Sequence, residues 1–138
     1  MDRAKAVTLF LLRVVSGLLF LQHGGQKLFG WFGGIPPNGM AAPVWTQAWI
    51  GGFLEFFGGL LILIGLFTRP IAFIVAGEMA VAYFQFHQPG GLFPIQNHGE
   101  SAVLYCFIFL LFAAWGAGEW SLDAALARRR AVAVPARA

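Results

Sequence analysis

Cysteine occurs once in the 138 residues, at Cys106 inside an apolar run. A single thiol makes no internal disulfide and no self-contained dithiol centre, so any redox role requires another electron carrier. Charge is also scarce: Asp, Glu, Lys and Arg make up 11% of the chain, less than half the share usual in soluble domains, about 25%. The three histidines, His23, His87 and His98, are dispersed without metal-ligand spacing, which argues against a metal centre. No haem-ligand pair and no flavin or nicotinamide motif is present. The chain by itself is therefore not a complete oxidoreductase.

What is abundant is apolar: 59% of residues are hydrophobic and 16% aromatic, above the 45–50% apolar share of ordinary globular domains. Four runs, at about 7–29, 48–67, 70–87 and 99–117, are long enough or nearly so to cross a hydrocarbon core about 30 Å thick at about 1.5 Å per helical residue. The expected fold is all-α, an integral membrane four-helix bundle in a single domain spanning 1–138. A cleaved signal peptide is the rival reading of the first run, but a signal's apolar region is shorter and this one carries Arg13 in its middle. The net charge of +3 does not point to nucleic acid, because Arg128, Arg129, Arg130 and Arg137 lie in a short tail, about 121–138, after the last run. Arg3 and Lys5 precede the first run, Arg69 sits in the LFTRP turn between the second and third, and the connections 30–47 and 87–98 hold no Lys or Arg. Both termini are expected on the cytoplasmic side of a bacterial or archaeal cell membrane, with the two Gly- and Pro-rich connections outside.

A charge in a span costs roughly 2.5–3.5 kcal/mol to insert without help, so Arg13, Glu55 and Glu78 each need a partner or a function. At about 100° per residue, Arg13, Ser16, Gly17, Phe20, Gly24 and Lys27 share a stripe with His23 at its edge. Gly51, Gly52, Glu55, Gly58 and Gly59 share another, and Glu78, Ala82 and Gln85 a third. Counting depth from helix ends pairs Arg13 with Glu78 as a structural ion pair, and gathers His23, Lys27, Glu55 and Glu100 into an outer cluster bounded by Gln85. In that cluster His23 is a candidate proton carrier, because imidazole titrates near neutrality. Each assignment has a plainer counterpart. A buried ion pair serves bundle assembly as readily as chemistry, His23 is as readily a packing residue, and Asn97-His98-Gly99-Glu100 reads as a capping box with Asn97 as N-cap.

The strings RVVSGLLFLQHGGQKLFGWFGG, FLEFFGGLLILIGLFTRP, NHGESAVLY and GAGEWSLD together resemble the DoxX family of small membrane proteins, over about 11–123. The matching positions include Arg13, Gly17, His23, Gly24, Lys27, Glu55, Gly58, Gly59, Gly65, Thr68, Arg69, Asn97, Glu100, Gly116, Ser121 and Asp123. The resemblance implies four spans and an association with redox and detoxification complexes, including a membrane subunit of thiosulfate:quinone oxidoreduction. Quinone is accordingly the ligand it suggests, with no covalent cofactor and with soluble redox enzymes as partners beside the lipid bilayer; Lys27 would then stabilise developing negative charge, His23 shuttle protons and Glu55 orient or neutralise them, while Asn97, Glu100 and, by its place in the outer cluster, Gln85 would bind the ligand. A carrier of small molecules or lipids, or a membrane scaffold for soluble enzymes, is the alternative, and the glycine faces would serve packing in a homo-oligomer.

Overall fold

The computed structural model describes residues 2–133; Arg137 of the basic tail lies outside them. Among the described residues there are four long helical segments and no strand. Helix α1 is Arg3–Phe29, capped by the Asp2 side chain and stopped by Gly30 in the left-handed region. Helix α2, Gln47–Ile64, starts on the Thr46 side chain and ends on left-handed Gly65. Helix α3, Thr68–Ala82, runs without interruption into a π-helical turn, Tyr83–His87. A short helix α4, Pro94–Asn97, precedes α5, Glu100–Trp115, and the basic segment forms α6, Leu122–Ala133. The expected runs are therefore helices with shifted ends, and the described part of the basic tail is helical.

Two close-packed pairs build the bundle, α1 against α2 and α3 against α5, joined by the α2–α3 hairpin. Glycine makes the first pair possible. A Cβ on Gly24 would lie 2.2 Å from the Phe56 nitrogen, and one on Gly17 2.7 Å from the Leu63 nitrogen. Gly52 and Gly59 answer from α2, so backbone meets backbone at two levels, seven residues apart on each helix. The other pair encloses the apolar core of Ala72, Val75, Ala76, Met79, Ala102, Phe109 and Phe112, to which Phe20 and Ile62 also belong. Outward the surface is apolar too, with Leu11, Val15, Leu18, Phe53, Phe57, Phe73, Leu104 and Phe107 all exposed. Such an exterior is suited to lipid rather than water. By length and composition α1 and α2 each suffice to cross a membrane, and α5 is a shorter apolar helix.

At the hairpin end, polar groups tie the chain together. Arg13, 1% exposed, donates from Nη1 to the carbonyls of Ile62 at 2.9 Å and Leu63 at 2.5 Å, and from Nη2 to that of Trp120 at 2.6 Å. It thus satisfies the last turn of α2, where free carbonyls favour a cation. Asp123 does the converse: its carboxylate accepts from the amides of Phe67 at 2.8 Å and Thr68 at 2.9 Å, where α3 begins. Those bonds hold Phe67 in its left-handed conformation, φ 49°. Arg69 completes the clamp by donating to the Ala114 carbonyl near the end of α5.

Candidate functional site

The expected pairing of Arg13 with Glu78 is not what forms. Arg13 belongs to the hairpin clamp, whereas the Glu78 carboxylate lies beside Gly51, where a Cβ would come within 3.2 Å of Oε1. The depth count failed because α1 and α3 do not start at one level. Arg13 is ten residues into α1 yet stands level with the end of α2, so α1 overhangs the hairpin by about 15 Å. Glu78, ten residues into α3, therefore stands that much higher.

Its neighbours there are Glu55 and Lys27, and the three groups share the wall of one cavity of about 680 Å³ between the two helix pairs. Lys27 Nζ meets Glu55 Oε1 at 2.5 Å. The glycine packing positions this pair, since Lys27 Cβ occupies the space that a Cβ on Gly52 would need. Glu55 is 3% exposed, and its Oε2, like Oε2 of Glu78, is buried and accepts no hydrogen bond from the described residues. Two acids thus stand against one ammonium in a low-dielectric wall. If all three are ionised one negative charge is left over, which a proton or a donor group of a ligand would offset.

The remaining lining is mainly apolar: Phe20, Ile35, Ile50, Leu54, Ile74, Met79, Val81 and Phe86. His23 lines the cavity and sets its ring edge-on to Tyr105, 6.2 Å between centroids. Tyr105 in turn packs on Phe20 and Phe109. His87 enters from the π-turn and Ile35 from the connection after α1, so both loop regions border the cavity. The cluster of His23, Lys27 and Glu55 is brought together; Gln85, Asn97 and Glu100 are not part of it. Gln85 is exposed and hydrogen-bonds Gln47, which does line the cavity. Asn97 is a local brace: its amide nitrogen donates to the Gly91 carbonyl at 2.9 Å and its Oδ1 accepts from the Gly99 amide at 2.8 Å. The capping box is replaced by Gly99 at the N-cap, with Glu100 exposed in the first turn of α5.

Sequence reasoning missed Glu78, Gln47, His87 and Tyr105 as cavity residues. A partial signal for Glu78 was its own uncompensated charge in an apolar run; that Gly51 faces α3 and leaves room for its carboxylate is visible only in the fold. Tyr105, a hydroxyl in the apolar run of α5, was the other legible hint.

No solved structure matches the chain. Among curated sequences, an uncharacterized protein of Haemophilus influenzae is 39% identical over 89% of this chain and 93% of its own length. An uncharacterized membrane protein of Mycobacterium tuberculosis, Rv3486, is 31% identical over 86% of this chain and 80% of its own length. The inner membrane protein YqjF of Escherichia coli is 29% identical over 94% and 99% respectively. The DoxX family model matches residues 8–88, which cover most of α1, all of α2 and α3 and the Lys27, Glu55 and Glu78 wall, and the chain is a membrane protein of the DoxX family.

Proposed function

We propose that this protein is a membrane component that binds a small amphipathic molecule, a membrane quinone being the class that best suits its cavity, and that it works with a soluble redox enzyme. One observation carries the reading: an apolar cavity concentrates its charge on one wall, where two buried carboxylate oxygens, Glu55 Oε2 and Glu78 Oε2, have no hydrogen-bond partner among the described residues beside the Lys27 ammonium. Its volume is within the range of small-molecule sites, about 300–1,000 Å³. Quinone carbonyls accept hydrogen bonds, and Lys27 and a protonated carboxyl at Glu55 or Glu78 donate them. When bound, such a molecule takes up two electrons, supplied by the soluble partner, and two protons. In this scheme Lys27 orients a carbonyl oxygen, Glu55 holds Lys27 in place, Glu78 hands over or receives a proton, and His23 exchanges protons at the loop end. Both termini and the soluble partner are on the cytoplasmic side, where Arg3, Lys5, Arg69 and the arginines of α6 gather.

The test is saturable binding of a methyl-tailed benzoquinone to protein in lipid nanodiscs. Glu55→Gln keeps the size and most hydrogen bonding of the side chain; it should fold, yet bind at least tenfold more weakly. Absence of saturable binding to the unaltered protein would refute the quinone reading. Mass spectrometry of the mildly solubilised protein then distinguishes the alternative, since a retained lipid or other small molecule would assign the cavity to a carrier.

A further inference from the structure

We infer that the cavity is entered from within the bilayer, through a lateral portal between α2 and α3, and that its ligand is a membrane-dissolved amphiphile whose tail lies in that portal. Naming the tail rests on the ligand-binding reading above, but the route itself follows from packing. Near the hairpin α2 and α3 touch, for a Cβ on Gly58 would lie 2.6 Å from Val75 Cγ1. Two turns further on, the corresponding glycine, Gly51, has within 4 Å of such a Cβ only the Glu78 carboxylate at 3.2 Å. The helices have parted, and the carboxylate stands in the gap.

Side chains on both lips belong at once to the cavity and to the outside. Ile50 is 47% exposed, Ile74 50% and Val81 48%, and all three line the cavity. They lie on the helix faces of the apolar belt, with exposed Phe53, Phe57 and Phe73 close by along the same helices. The Gln47–Gln85 hydrogen bond joins the two helices above the gap at the loop end, and Gly58 against Val75 closes it below. An opening with apolar lips, bounded above by an amide bridge and backed by a carboxylate, admits an alkyl or isoprenoid chain at no desolvation cost and sets a polar head against Lys27, Glu55 and Glu78.

The experiment uses the full chain in liposomes, in a Cys106→Ala background, with a trifluoromethyl label on Leu54→Cys and, separately, on Ala82→Cys, both at cavity-lining positions. Fluorine line broadening is compared between a phospholipid bearing a nitroxide midway along its acyl chain and a water-soluble gadolinium chelate. Broadening by the lipid should exceed that by the chelate, and Ile50→Trp with Ile74→Trp should cut it at least threefold; both positions are half exposed, so neither change disturbs the core. Broadening that is stronger from the chelate, or unaltered by the two tryptophans, overturns the portal. A second arm compares decyl-tailed with methyl-tailed benzoquinone: the tryptophan pair should weaken the decyl compound at least fivefold more than the methyl compound. Equal weakening of both would also overturn the placement of the tail. If neither quinone binds while the lipid broadening remains sensitive to the tryptophans, the quinone reading falls and the portal stands.

Discussion

At the residue scale, the decisive contrast is between two basic side chains in one helix. Both terminal nitrogens of Arg13 donate to carbonyls at the hairpin end, whereas Lys27 has one carboxylate partner and faces a cavity. Arg13→Ala should destabilise the fold by about 3 kcal/mol or more, since one buried and two part-buried carbonyl bonds to a charged donor are lost. Combined with Glu78→Gln, the losses should add to within about 0.5 kcal/mol, because the two groups share no partner; thermal denaturation in detergent measures this cycle. Lys27→Met strands the Glu55 carboxylate and should cost about 3–5 kcal/mol, much of it recovered in Lys27→Met with Glu55→Gln, where no unpaired charge remains. A double variant as unstable as Lys27→Met alone would show that the lysine acts by packing and not by pairing.

At the scale of elements, glycine separates into positions that bring helices together and positions that do nothing of the kind. Gly24→Ala places a methyl 2.2 Å from the backbone of Phe56, so α1 and α2 must move apart. Gly77, in the middle of α3, has nothing within 4 Å of an added Cβ; Gly77→Ala should raise stability by about 0.5–1 kcal/mol through helix propensity alone. Parallel melting curves of the two variants check this, and a tolerated Gly24→Ala would contradict the close α1–α2 contact. The last turn of α3 makes the complementary point. Its widening into a π-turn at Tyr83–His87 puts Phe86 and His87 on the cavity, a local departure of the kind often found at binding sites.

For the whole molecule, the lysines and arginines other than Lys27 that fall among the described residues all lie at or beyond the hairpin end, while the connections at the loop end have none. By the positive-inside rule the hairpin end is expected in the cytoplasm, which labelling tests. In intact cells carrying the Cys106→Ala protein, Asn38→Cys should react with a membrane-impermeant thiol reagent and Arg130→Cys should not. The reverse pattern would invert the bundle and carry the loop end of the cavity to the opposite side.

The four apolar runs, their glycines and the scarcity of charge were sufficient to determine an all-α membrane bundle, because lipid forbids unpaired backbone and leaves helices as the only open-ended solution. The same rule marked Arg13, Glu55 and Glu78 as groups in need of an explanation. Which of them meet was another matter. Helical periodicity gives the direction of a side chain around its own axis, but the height of one helix against the next is set by interhelical packing and by capping bonds such as Arg13 to Ile62 and Asp123 to Thr68. Only tertiary structure fixed that height. It moved Glu78 away from Arg13 and into the wall beside Glu55, and so turned an expected structural ion pair into half of a candidate binding site.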